Sequence, residues 1–107
     1  MNTKSDVLSW LKPTLNGVEQ NRKYPDTFSI PSEEAKDGVR PGDFVKGAFG
    51  GDEVKRTERM WVKVTEVHEG LVRGTLANEP AFLKVRHGAL VEMEFRHILA
   101  IMKKGAP

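Results

Sequence analysis

The chain of 107 residues carries 17 basic and 15 acidic side chains, 38% hydrophobic residues and no cysteine. This length fits one domain, and the apolar content is enough to bury a single core. The absence of cysteine excludes disulfides, thiolate metal sites and thiol nucleophiles. No secretory signal or membrane-spanning run is found, so we expect a cytoplasmic protein with no membrane contact.

Helical signals are confined to the first third of the chain. Ser5 is a predicted N-cap for a short helix whose apolar positions, residues 7, 8, 10 and 11, share one face, and Pro13 ends it. Residues 18–27 are predicted to be a polar connection. Ser32, followed by acidic residues and closed by Gly38, predicts a helical turn near residues 32–37. The single domain, residues 1–107, thus begins with a helical arm over residues 1–23.

From residue 44 onward the hydrophobic period changes to two, which indicates β-strands. The predicted strands cover residues 44–49, 60–67, 71–77, 90–95 and 98–102; a charged loop fills residues 50–59, and residues 81–85 form a short strand or 3₁₀ piece. We therefore expect a mainly β (α+β) fold, either a small curled antiparallel sheet or an SH3-like barrel of about five strands. Residues 24–102 form this module and residues 103–107 a frayed tail. Gly74 predicts a bulge or a close backbone approach.

Three stretches carry a family resemblance: Pro-Gly-Asp-Phe-Val-Lys at residues 41–46, the strand sequence of residues 58–67, and Gly-Thr-Leu-Ala-Asn-Glu-Pro at residues 74–80. From about residue 24 to 102 the chain resembles a bacterial family of uncharacterised proteins, the YegJ-like domain-of-unknown-function group. Where relatives tend to have Gly-Asp before the next strand, this chain has Gly88-Ala89. The resemblance implies a compact β-rich module, sometimes found near immunity-type proteins. It implies no established activity.

Residues that could support catalysis or metal binding have simpler structural roles. Gly-Gly-Asp-Glu at residues 50–53 matches a cyclic-dinucleotide synthase signature, but it lies in a charged loop of a chain too short for that domain. The three histidines, at positions 68, 87 and 97, form no close-spaced ligand pair. Glu92 and Glu94 share a strand face and could act as acid and base, although pairing with Lys63 or Arg73 is favoured. We expect no catalytic residue, no metal and no cofactor.

The hairpin formed by the second and third predicted strands gives the sharpest functional hypothesis. Alternation places aliphatic side chains on one face and Trp61, Lys63, Thr65, Arg73 and Thr75 on the other. An aromatic ring among basic and hydroxyl groups suits a protein partner, a peptide or a single nucleic-acid strand. We expect a non-catalytic interaction module, immunity- or regulator-like, that binds a protein partner not identified by the sequence.

Two alternatives remain open at this point. The N-terminal helix could cover Trp61 through Leu8, Trp10 and Leu11, because a small sheet needs cover. Alternatively, the chain could be a nucleic-acid-binding β-barrel that uses cations such as Lys63 and Arg73, together with Arg86, Arg96 and the basic ends of the chain.

Overall fold

The computed structural model describes residues 10–50, 57–81 and 85–105 of the chain. In chain order the elements are α1 (Gly17–Lys23), α2 (Glu33–Asp37), β1 (Phe44–Gly50), β2 (Thr57–His68), β3 (Leu71–Leu76), β4 (Leu90–Glu94), a 3₁₀ turn (Phe95–His97) and β5 (Ala100–Met102). The mainly β fold of five strands is confirmed. No helix among the described residues has the length and hydropathy needed to cross a membrane.

Both helices begin at a side-chain cap. Asn16 Oδ1 accepts a hydrogen bond from the Glu19 amide (3.1 Å), and Ser32 Oγ accepts one from the Ala35 amide (3.0 Å). The predicted turn at residues 32–37 is confirmed as α2. The polar connection predicted for residues 18–27 is wrong over most of its length, because Asn16 caps a helix there instead of forming a turn with Gly17.

The five strands form one antiparallel sheet in the order β4-β3-β2-β1-β5. The described sheet is not closed into a barrel, since its two edge strands do not pair with each other. The predicted last strand, residues 98–102, is paired only from residue 100 onward as β5, and the predicted strand 90–95 ends one residue early because Phe95 begins the 3₁₀ turn. Residues 51–56 of the predicted loop and residues 82–84 of the predicted apolar piece lie outside the described residues.

The N-terminal segment (residues 10–15) is extended where it is described. Leu11 forms a parallel bridge with Val91 of β4, and the Thr14 amide donates to the Ala48 carbonyl of β1 (2.9 Å). The helix predicted from Ser5 is therefore wrong at Leu11, and its residues 5–9 lie outside the described part of the chain. Pairing of Leu11 with the edge of β4 is therefore favoured over the helix that the apolar spacing of residues 7–11 predicts.

The core lies against one face of the sheet, here called the inner face. It holds the aliphatic side chains predicted for the hairpin, which are fully buried, and is completed by residues before β1 and after β4; its members are Val39, Val45, Phe49, Met60, Val62, Val64, Val72, Leu76, Val91, Met93 and Ile98. A second cluster lies on the opposite, outer face; it comprises Leu15, Ala48 and Leu99 with Phe28 and Ile30 packed against them.

Gly74 lies where β2 and β3 approach most closely. A Cβ atom at Gly74 would stand 2.1 Å from the Lys63 carbonyl oxygen, so only glycine fits. Opposite it the register shifts between Val64 and Glu66, which is a β-bulge with Thr65 as the extra residue. The predicted close approach and bulge are both confirmed.

Candidate functional site

A single row of side chains crosses the outer face through all five strands. Pairing aligns one residue from each strand, in the order Met102, Phe44, Lys63, Thr75 and Leu90. With adjacent strands about 4.8 Å apart, this central row spans about 19 Å. Met102 and Leu90 are 41% and 44% exposed, Lys63 is exposed, and Phe44 and Thr75 are half-buried.

The second row on this face pairs a cation with an aromatic ring. Lys46 of β1 is the cross-strand partner of Trp61 of β2, and its Nζ lies 4.7 Å from the centre of the indole ring. Trp61 is half-buried, and its backbone is fixed on the side of β3. Its amide donates to Asn78 Oδ1, and its carbonyl accepts from the Ala77 amide (2.9 Å). Asn78, which lies in the stretch 74–80 that carries the family resemblance, thus positions Trp61.

Arg73 belongs to a separate ion-pair network at the other end of the outer face. Its Nε lies 3.0 Å from Glu92 Oε2, and its Nη1 lies 3.9 Å from Glu66 Oε1. Lys12 reaches the same Glu92 at 3.7 Å, and the Trp10 ring packs over the Arg73 guanidinium at 4.9 Å. These contacts hold Arg73 against β4.

Trp10 therefore lies away from Trp61. Trp61 aligns with Ala77, four residues beyond Arg73 along the β3 direction, so the two sites are about 13 Å apart at ~3.3 Å per residue. Leu11 packs against the inner-face core. Two of the three residues expected to cover Trp61 thus have other contacts, and Leu8 lies outside the described residues.

The five predicted site residues share the outer face but form two groups. Trp61, Lys63 and Thr75 lie together in its middle. Thr65 is exposed at the bulge, where its Oγ1 donates to the Arg73 carbonyl (3.1 Å), and so belongs with the Arg73 network. Prediction from sequence missed the other members of the two rows, because alternation gives the face of a residue but not its register across strands.

Of the residues that the structure describes, those packed on the outer face lie at its two ends and leave its middle open. At the β1 end the second cluster covers Ala48, and the Arg59 guanidinium packs over the Phe28 ring at 5.3 Å. At the β4 end Trp10 and the ion pairs of Arg73 fill the surface. The central row and the Lys46–Trp61 pair lie between these two covered regions.

Asp43 is a buried acid to which the sequence pattern assigns no role. It is 2% exposed, and its carboxylate accepts from the Arg40 amide (2.8 Å), the Lys104 amide (2.7 Å) and Lys103 Nζ (2.5 Å). Burial favours the neutral form, but these hydrogen bonds outweigh it, and the pKa of Asp43 lies below its ordinary value. The signal was the Pro-Gly-Asp motif at residues 41–43. The first residues of the predicted tail are thereby tied to the start of β1.

The candidate acid–base pair on β4 is engaged in ion pairs. Glu92 binds Arg73 and Lys12, and Glu94 Oε2 lies 3.0 Å from Arg96 Nη2. Within residues 10–50, 57–81 and 85–105, no cluster of three acidic or histidine side chains could hold a metal ion. Of the Gly-Gly-Asp-Glu stretch, only Gly50 is described, as the last residue of β1.

His97 closes the turn between β4 and β5. Its Nδ1 accepts a hydrogen bond from the Glu94 amide (3.0 Å), an arrangement in which this nitrogen carries no proton. Burial and the nearby Arg96 lower the pKa of His97, and Glu94 opposes them only in part. The imidazole therefore acts as a cap for the turn.

Comparison with known proteins gives one match. Residues 29–104 match the family model DUF2314, described as an uncharacterised protein conserved in bacteria. Neither the curated proteins nor the solved structures contain a match. The match excludes the N-terminal segment and α1, and it includes all five strands.

Proposed function

We propose that this chain, which belongs to the DUF2314 family of uncharacterised proteins conserved in bacteria, is a non-catalytic module that binds a protein partner through the middle of its outer face. The observation that carries the proposal is the central row beside the Lys46–Trp61 pair. Apolar, aromatic and cationic side chains are there brought together on adjacent strands of one sheet.

The chemistry of this surface indicates the kind of partner. Trp61, Phe44 and the exposed Leu90 and Met102 offer apolar area, which is what the centres of protein interfaces use. Lys46 and Lys63 supply the charge, and neither row contains an acidic side chain. The partner is therefore a protein surface with carboxylates beside apolar side chains, since charge complementarity favours that encounter.

A nucleic-acid strand is the weaker candidate for the same surface. Non-specific single-strand binding depends on bases stacking on aromatic rings. Lys46 Nζ already lies over the Trp61 ring, so stacking on that face would require its displacement. An immunity- or regulator-like role, the narrower YegJ-like assignment, an SH3-like classification and a cytoplasmic location stay predictions.

The test uses a photo-crosslinking amino acid placed at Lys63, with Lys23 on α1 as the matched exposed control. Crosslinking in bacterial cells followed by mass spectrometry identifies the bound species. The captured protein is then purified, and its affinity for the wild type, Lys63→Glu and Lys23→Glu is measured by calorimetry. We expect Lys63→Glu to weaken binding at least about tenfold, or about 1.4 kcal/mol, and Lys23→Glu to leave it unchanged.

The outcomes separate the candidates. A protein captured only from position 63, with the expected affinity loss, supports the proposal. Capture of nucleic acid from position 63, with affinity that falls steeply with salt, would replace it with the weaker candidate. Equal capture from both positions, or equal affinity of both variants, would refute a role for the central row.

A further inference from the structure

The edge of β4 is already bound by an extended segment. The Leu11 amide donates to the Leu90 carbonyl (2.8 Å), and the Glu92 amide donates to the Leu11 carbonyl (2.9 Å). These are the two hydrogen bonds of a parallel bridge, in which the backbone of Leu11 pairs with the residues before and after Val91. Pro13 has no amide hydrogen, so the pairing cannot continue along β4.

Three consecutive side chains of the segment make three different contacts. The Trp10 ring packs over the Arg73 guanidinium, Leu11 packs against the inner-face core, and Lys12 Nζ lies 3.7 Å from Glu92 Oε1. This is the alternation expected of an added strand: the first and third side chains lie on the outer face and the second on the inner. The edge thus recognises an aromatic, an aliphatic and a basic residue in succession.

The attachment is built from contacts that can be exchanged. Within residues 10–12 the described backbone pairing is a single bridge, and the Lys12 side chain is 65% exposed, which makes its ion pair weak. The segment also lies outside the family-matched region, residues 29–104, whereas β4, Arg73 and Glu92 lie inside it. The receptor surface therefore belongs to the family module, and the residues that fill it here come from outside that module.

We propose that the edge of β4 is a strand-addition site for an extended partner segment with the order aromatic–aliphatic–basic, and that residues 10–12 occupy it in cis. A partner then binds by displacing Trp10, Leu11 and Lys12, and its apparent affinity is its intrinsic affinity multiplied by the fraction of time that the edge is free. This site uses the backbone of Leu90, whose side chain belongs to the central row, but the proposal does not rest on the function of that row.

The experiment measures binding of a fluorescent peptide with the sequence Trp-Leu-Lys-Pro to the full-length chain. The wild type is compared with the double variant Trp10→Ala/Lys12→Ala, which weakens the cis contacts and keeps Leu11 in the core. We expect the double variant to bind the peptide at least about tenfold more tightly than the wild type does. In the same background, Glu92→Lys should lose this peptide and bind Trp-Leu-Glu-Pro instead.

Hydrogen exchange at the Glu92 amide gives a second readout that needs no tight affinity. The amide should exchange faster in the double variant than in the wild type, and millimolar peptide should restore its protection. Equal peptide binding by the wild type and the double variant, or no protection at millimolar peptide, would overturn the proposal. So would a wild-type dimer in which residues 10–12 of one copy occupy the edge of the other.

Discussion

Replacement of Gly74 by alanine tests how closely β2 and β3 must approach. The added Cβ would lie 2.1 Å from the Lys63 carbonyl oxygen and 2.9 Å from its carbon, and real Cβ contacts do not fall below 3.0 Å. Both contacting atoms belong to the backbone, so no side-chain rotation relieves the clash. The strands would have to separate by about 0.9 Å, the difference between 3.0 Å and 2.1 Å. That displacement breaks a hydrogen bond of normal length.

The magnitude follows from overpacking and lost pairing. Overpacking costs about 1–3 kcal/mol, and each backbone hydrogen bond lost costs about 1 kcal/mol more, so we expect Gly74→Ala to lower the free energy of unfolding by about 3 kcal/mol. For a chain of this size, that corresponds to a fall in Tm of about 10–15 °C. Urea unfolding followed by far-UV circular dichroism, with calorimetry for Tm, measures both quantities.

Gly38 provides the matched control for this substitution. Its φ is −85°, and a Cβ there would meet the Ala35 carbonyl oxygen at 3.4 Å, which requires at most a slight adjustment. Gly38→Ala should change the free energy of unfolding by less than about 0.5 kcal/mol. If Gly74→Ala melts within about 2 °C of the wild type, the argument from close approach is wrong.

Two further predictions concern titratable groups. Asp43→Asn should lower the free energy of unfolding by about 2 kcal/mol in urea titrations at neutral pH, because Lys103 and two amides lose a charged acceptor. The folded pKa of Asp43 is lowered from 3.8, so the wild type keeps this stability above pH 3.8 and loses it as the pH falls further. If Asp43→Asn loses stability with acid in the same way as the wild type, Asp43 is not the group responsible. The folded pKa of His97 is lowered from 6.5, so the wild type should lose stability as the pH falls below that value. His97→Asn can still accept from the Glu94 amide and should flatten this slope in thermal melts between about pH 7 and pH 5; an unchanged slope would show that another group causes it.

The parts of the fold that depend on local pattern could be predicted from sequence. Burial alternates along β2 and β3 as their hydrophobic pattern does, so the pattern predicts both strands to within three residues of their ends. Gly74 was identified because a glycine inside a strand often marks a bulge or a close approach of two backbones. The helical interpretation of Leu11 failed because apolar spacing over a few residues does not distinguish a helix from an edge strand that alternates between two covered faces.

The parts that depend on pairing between distant residues could not be predicted. The central row requires the register of β1 with β5, which are about fifty residues apart in sequence, and the bulge at Thr65 shifts the alignment of β2 with β3. In the same way, the carboxylate of Asp43 binds Lys103 and Lys104 at the other end of the module. A single sequence gives the residue types in such contacts but not which of them meet.

The geometry of the proposed surface therefore depends on the whole sheet. Each member of the central row comes from a different strand, so any change that separates two strands also divides the row. Gly74→Ala acts between Lys63 and Thr75 and should weaken stability and partner binding together. Lys63→Glu changes an exposed side chain on the same row and should weaken binding alone. A surface that evolved only as solvated cover would show no such separation, because Lys63→Glu would then affect neither property.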